Sequence, residues 1–267
     1  MSAELTSTRS PRVTAARRLV KRAFRDRDGR FLAEGPQACR EAAALPGVLL
    51  ELYVTAESAA RHADVVAAAR RAGAEVVPAS GEVVASLSGT VTPQGMVGVC
   101  ATVTTTLDAV LSGPQRLVAV LAHARDPGNV GTVIRCSDAA GAGGVVLTEA
   151  SVDPQNPKAV RASAGSLFHL PVATGPSVAD LVVALHGAGL QVLAADGAGE
   201  RDLDDLEDDG TLTAPTAWVF GNEAWGLPEE TRALCDQVVR VPIHGRAESL
   251  NLATAAAVCL YASARAQ

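Results

Sequence analysis

The sequence predicts an α/β protein built mostly on parallel strands. Short β-branched apolar runs recur along the chain, and alanine-rich stretches with helical spacing separate them. The apolar fraction is 48% of 267 residues, with aromatics only 3%. That mass is mainly Ala, Val and Leu, which suits helices layered on sheets. Gly and Pro fall mostly between the runs, where they punctuate turns.

Residues 1–10 are polar. A basic block follows, with Arg9, Arg12, Arg17, Arg18, Lys21, Arg22, Arg25, Arg27 and Arg30 as nine cations in twenty-two residues, opposed only by Asp26 and Asp28. Leu19, Val20 and Phe24 lie among them at roughly helical spacing, so one helix is expected, apolar on one side and cationic elsewhere. In a chain of net charge −6 this block points to a surface facing a polyanion. Arg17, Arg18, Lys21 and Arg22 are its candidate phosphate contacts. RFLAEGPQACREAA then reads as strand, turn and helix, with Pro36 suited to a helix N-terminus. Strands are expected over 48–54, 75–78 and 97–103, and helices over 57–73 and 81–87. Together these make an α/β domain over residues 1–103. Residues 104–116, TTTLDAVLSGPQR, break the pattern and read as a linker with a helical turn around 107–111.

A second domain, 117–267, opens with the strand LVAVL. Asp126-Pro127-Gly128-Asn129 then turns sharply into a helix bearing Val130, Val133 and Ile134. Such strand–turn–helix corners hold ligands in α/β sheets. Gly128, Gly131 and Arg135 share a face of that helix, which glycine would leave bare for a ligand or partner chain. The plainer reading pairs Arg135 with Asp138, but two early glycines cost helix stability without structural return. Asn129 serves equally as a plain N-cap. The glycines at 141–144 follow a helix and precede a strand, the reverse of a dinucleotide fingerprint, and no GxxxxGK[ST] occurs. Further strands are expected over 144–148, 190–195, 216–220 and 237–242, and helices over 156–164, 178–186, 228–235 and 250–265. Lys158 and Arg161, three apart, are further candidate phosphate contacts. Residues 200–209 carry seven acids against one arginine and read as a solvated loop. Taken singly, Glu223 is an exposed turn residue, Ser249 a helix cap and Asn251 a first-turn polar residue.

Five cysteines without a CxxC pair read as reduced thiols. Five dispersed histidines give no metal-ligand spacing, so no metal is expected. The N-terminus has no apolar targeting core and no segment spans a membrane, so a cytoplasmic protein without a membrane partner is expected.

Three stretches together resemble the motifs of the SpoU (TrmH) family of RNA ribose 2′-O-methyltransferases: DPGNVGTVIRCSDAAG (126–141), VFGNEAWGLP (219–228) and VPIHGRAESLNLATAAA (241–257). NPKAVRASAGSLFHLPV (156–172) resembles the family's intervening segment, and the first domain, with FLAEGPQACREA, is similar to its L30e-like substrate-binding domain. The resemblance implies a SPOUT fold with a C-terminal trefoil knot, S-adenosylmethionine as cofactor and a site at a homodimer interface. It implies functional polar roles for Asn129, Arg135, Glu223, Ser249 and Asn251. It places Gly221, Ile243 and Leu250, with Phe220 and Asn222 beside them, at the cofactor loops. It makes the basic residues RNA contacts and 23S rRNA the expected substrate, with tRNA methylation or non-catalytic RNA binding as alternatives.

Overall fold

The computed structural model describes residues 3–267. In chain order its elements are α1 (Pro11–Arg18), α2 (Arg22–Asp28), β1 (Arg30–Glu34), α3 (Pro36–Ala44), β2 (Leu49–Val54), α4 (Ala56–Arg61), α5 (Ala63–Arg71), β3 (Glu75–Pro78), α6 (Gly81–Leu87) and β4 (Met96–Ala101). They continue with β5 (Thr104–Thr105), α7 (Leu107–Val110), β6 (Leu117–Leu121), α8 (Pro127–Ala139), β7 (Gly144–Leu147), α9 (Pro157–Ala162), β8 (Val172–Thr174) and α10 (Val178–Gly187). The last are β9 (Gln191–Ala195), β10 (Arg201–Asp202), α11 (Leu203–Asp208), β11 (Thr216–Phe220), α12 (Glu229–Arg232), β12 (Gln237–Arg240) and α13 (Leu252–Ala266).

Two compact units result, neither continuous in sequence. One holds the residues up to Val103 with Asp153–His169, and the other holds Thr104–Val152 with Leu170–Gln267. This corrects the expected division into 1–103, 104–116 and 117–267. Residues 104–116 are no linker. Thr104 and Thr105 pair with β8, and Val110 is fully buried in the core of the second unit.

In the first unit the sheet order is β1-β4-β2-β3. β4 runs antiparallel to both neighbours, and β2 and β3 are parallel. The single basic helix expected here is two helices, broken after Leu19. Arg25 is the reason: buried, it reaches back and donates from Nη1 to the carbonyls of Leu19 (3.0 Å) and Val20 (2.8 Å). Those acceptors would otherwise sit unsatisfied at the end of α1. The helix expected over 57–73 also breaks, at His62, whose backbone leaves the helical region (φ −121, ψ 48).

The segment 153–169 is tied to this unit by buried polar contacts. Arg25 Nε meets Asp153 Oδ2 at 2.6 Å, and Arg161 Nη1 meets Glu34 Oε2 at 3.0 Å. Glu34 also accepts from the Ser88 and Thr90 hydroxyls and the Gly89 N–H. Burial pushes the Glu34 carboxyl up, but those donors and Arg161 outweigh it and leave it below the ordinary carboxylate range. A lowered folded pKa stabilises above the unfolded value and is lost as pH falls through the folded one. The stability advantage of wild type over Glu34→Gln should therefore shrink once pH drops below about 4.3. Urea denaturation across that range checks this, and a gap independent of pH would refute it.

In the second unit the order is β10-β12-β9-β11-β6-β7-β8-β5, and all pairings are parallel. β6, β7 and β11 are buried along their whole length, which is why, apart from Thr216 at the start of β11, they read as unbroken apolar runs. Residues 200–209 are not a solvated loop. Leu203 and Leu206, three apart, are buried and give the acidic run an apolar side, and Asp202 and Asp205 form a capping box. α13 lies against α8 and β11. There the buried Trp218 indole donates to Ser263 Oγ at 2.8 Å; leaving that N–H unpaired would cost about 1–3 kcal/mol. Among the described residues no helix is long and apolar enough to cross a membrane.

Candidate active site in the second unit

β6, β11 and β9 end in register, with Phe220 opposite both Leu121 and Ala195. The loops that follow therefore start at one level, on the carboxyl edge of a parallel sheet. From β6 the chain proceeds to β7 on one side, while β11 is β6's neighbour on the other. That is the switch-point crevice where such sheets bind ligands.

Glu223, on the loop after β11, bridges this crevice. Its carboxylate accepts from the backbone N–H of Arg125 (3.2 Å) and of Asp126 (3.1 Å), and from Asn129 Nδ2 (3.3 Å). The N-terminal end of the thirteen-residue α8 favours negative charge there. Asn129 is not the cap of α8. Asp126 caps it, accepting from Asn129 N at 2.9 Å, which frees the Asn129 amide for the site. Asn129 Oδ1 accepts from Asn251 Nδ2 at 3.1 Å. Asn251, not Ser249, caps α13 by accepting from Ala253 N at 2.9 Å. Asn129, Glu223 and Asn251 thus form one hydrogen-bonded chain linking three distant stretches of sequence.

Arg135 stands outside that chain, exposed six residues further along α8. The face it was expected to share is not bare, because Gly131 is buried. Beside it, burial pushes the Cys136 thiol up against the pull of Arg135, so no reactive thiolate forms there.

Next to Glu223 lies a cavity of about 300 Å³ lined by Phe220, Gly221, Asn222, Ile243 and Leu250, together with Glu223 and Ser249. The five residues expected at a cofactor loop thus share one cavity. Val239, Val241 and Leu252 add apolar wall, and Asp196 and Glu248 add carboxylates. Gly221 has a local cause as well: a Cβ there would lie 2.4 Å from the Gly226 carbonyl carbon. The chain's own turn therefore excludes a side chain. Asp196 is a residue that sequence reasoning missed. It accepts from Leu227 N (3.1 Å) and pairs with Arg232 (3.4 Å), holding the loop after β11 against β9. Its only sequence signal is an acid followed by glycine at a strand's end.

The basic candidates lie in the first unit. Arg17, Arg18, Lys21, Arg22 and Lys158 are exposed. The Arg18 and Arg27 guanidinium carbons lie 5.6 and 4.7 Å from the Phe24 ring centroid. Arg22 is within 3.6 Å of Asp26, and Arg161 is committed to Glu34. A larger cleft of about 700 Å³ in this unit is lined by Arg40 and Arg61 among others, but these are paired with Asp64 and Glu57. Among the described residues no group of His, Cys, Asp and Glu is arranged to hold a metal ion.

Residues 116–261 match the SpoU rRNA Methylase family, and residues 10–98 match the MRM3-like substrate binding domain. The 23S rRNA (guanosine(2553)-2′-O)-methyltransferase RlmP of Bacillus subtilis is 30% identical over 264 residues, 97% of this chain and 98% of its own. The AdoMet-bound rRNA methyltransferase from Sinorhizobium meliloti has a TM-score of 0.85 at 32% identity, over 98% of this chain and 97% of its own. The SpoU methyltransferase AviRb from Streptomyces viridochromogenes, in complex with AdoMet, has a TM-score of 0.83 at 31% identity, over 96% of this chain and 98% of its own. With three motifs joined by hydrogen bonds at one crevice and likeness along nearly its whole length, the chain belongs to the SpoU rRNA methylase family.

Proposed function

We propose that this chain is a cytoplasmic S-adenosylmethionine-dependent methyltransferase that modifies a ribose 2′-hydroxyl of 23S rRNA. The observation that carries the reading is the Asn251–Asn129–Glu223 chain beside the cavity lined by Gly221, Ile243 and Leu250. The cavity fits the cofactor in kind: an apolar wall of Phe220, Val239, Val241, Ile243 and Leu250 suits an adenine, and the carboxylates at its edge suit a cation. The family resemblance adds a trefoil knot and a homodimer to the proposal.

When bound, the cofactor supplies an electrophilic methyl on a positively charged sulfur. The transfer makes an O–CH₃ bond, breaks the C–S bond and releases the hydroxyl proton. Asn129, Glu223 and Asn251 have their polar atoms engaged with one another and with backbone amides, so their role is to fix the loops. Arg135 and Ser249 are exposed and remain for the substrate. Arginine keeps its proton in proteins, so Arg135 orients a phosphate or the 2′-oxygen and stabilises the developing negative charge. The proton then leaves to water. In the first unit, Arg17, Arg18, Lys21, Arg22 and Lys158 supply phosphate contacts, and Arg161 joins them only by leaving Glu34.

The experiment is to map 2′-O-methyl groups in rRNA and tRNA from cells with and without the gene. A mark missing from 23S rRNA supports the reading, one missing from tRNA names the other substrate, and no difference sinks both. On the identified RNA, Arg135→Ala should cost about 10²–10³-fold in kcat, as for loss of an oxyanion-stabilising donor, with cofactor affinity kept. Arg135→Lys should recover part, since it keeps the charge but not the planar fork. Near wild-type turnover in Arg135→Ala would end the assignment.

A further inference from the structure

His123 and Trp225 stand together beside the hydrogen-bonded chain of the site without belonging to it. Their ring centroids are 5.9 Å apart and the planes are tilted by 42°. Trp225 is 49% exposed, whereas the chain's other tryptophan, Trp218, is fully buried. The turn carrying Trp225 is closed by hydrogen bonds and also carries Glu223. Asn222 and Gly226 exchange both backbone hydrogen bonds at 2.9 Å, and Ala224 N donates to Asn222 Oδ1 at 2.9 Å.

His123 is held more tightly still. Its φ is +54, a left-handed conformation that costs a side chain strain and persists only when the surroundings impose it. Its N–H donates to Thr148 Oγ1 at 3.0 Å, and its carbonyl accepts from Asn222 Nδ2 at 2.8 Å. Ring Nδ1 lies 3.0 Å from the Glu149 carbonyl oxygen. A carbonyl only accepts, so Nδ1 carries the proton and Nε2 is the ring's remaining polar atom. A strained histidine and an exposed indole, both on loops that Glu223 joins, are an arrangement that packing does not require.

We propose that His123 and Trp225 form a nucleobase platform, on which a base of the RNA substrate stacks while His123 Nε2 meets its polar edge. This rests on the function proposed above. Chemistry on one nucleotide set in a crevice favours taking that nucleotide out of its stack, and an exposed aromatic face returns part of the lost stacking. An indole accepts any base, so Trp225 supplies affinity, and the imidazole edge supplies preference among bases. Arg125, exposed two residues from His123, places a cation near for a flanking phosphate. His123 and Trp225 are positioning residues that leave the methyl transfer itself to others.

The test uses the full chain and unmodified 23S rRNA transcribed in vitro. Trp225→Ala should raise the KM for this RNA roughly ten- to a hundredfold, the range for losing one stacked base, with a smaller change in kcat. Trp225→Phe should keep most of the affinity, because a phenyl retains a stacking face. Cofactor Kd by calorimetry and molecular mass by sedimentation should match wild type in both variants. RNA should quench tryptophan fluorescence in wild type but not in Trp225→Phe, whose remaining Trp218 is buried. An unchanged KM in Trp225→Ala overturns the platform. So does a rise in KM that comes with lost cofactor binding, or with dissociation of a dimer, which would assign Trp225 to a subunit interface. If wild type transfers no methyl to this RNA, the proposed function fails by itself. The platform is then decided by filter binding of the same transcript, where equal affinities of wild type and Trp225→Ala overturn it.

Discussion

Glu223→Ala is expected to lower kcat/KM for methyl transfer about a hundredfold, the cost of misplacing a site by about an ångström. The carboxylate accepts from two backbone amides and the Asn129 side chain. Its removal leaves those donors to water and unties the loop after β11 from the start of α8. Glu223 is exposed, so melting temperature should change little. Glu223→Gln should fall between, because its oxygen still accepts while its NH₂ faces N–H donors. Initial rates with labelled cofactor and 23S rRNA check this. If Glu223→Ala stays within threefold of wild type, the network does not position the site.

The second large effect is on stability. Arg25 and Asp153 are both almost fully buried, with side-chain exposures of 3% and 8%, and meet at 2.6 Å. Removing one charge strands the other in a poorly solvating place, at a cost of about 3–5 kcal/mol. Asp153→Asn, which keeps the shape, should destabilise the first unit by that order. Pairing it with Arg25→Met should recover only part of the loss: no buried charge remains, but the Leu19 and Val20 carbonyls lose their donor. Denaturant midpoints of the full chain give the size, and hydrogen exchange over 22–28 and 153–169 gives the place. Unchanged protection in those two segments would show that the pair does not hold them together.

The strands of the second unit were legible because burial on both faces leaves nothing but apolar residues in Leu117–Leu121 and in Ala217–Phe220 to read. The helix after Gly35-Pro36 was legible because both residues act locally. What escaped depends on partners distant in sequence. The break after Leu19 is set by Arg25 folding back, and nothing in Leu19-Val20-Lys21 announces it. Asn129 looked like a cap because Asn caps well, but Asp126 lies three residues earlier and takes that amide. The acidic run hid two leucines whose spacing marks a helix. For the site, the motifs named the residues, while the division of labour came only from hydrogen bonds. Asn129, Glu223 and Asn251 spend their polar atoms on each other, and Arg135 does not. His123 and Trp225 escaped because one backbone angle and one exposure, neither visible in a string of letters, set them apart.

The return of Asp153–His169 to the first unit also orders events on the ribosome. Domains fold as units, the N-terminal one first as the chain emerges. Here residues up to Val103 emerge without Asp153, the partner of Arg25, and without α9, which packs against β1. They must wait while β6, α8 and β7, all of the second unit, are made. The first unit therefore cannot mature until that part of the second has been made. A translational pause near residue 103 would hold an incomplete unit, with Phe31 lacking the Phe168 ring stacked on it and Glu34 lacking Arg161, whereas a pause after residue 169 would release a finished one.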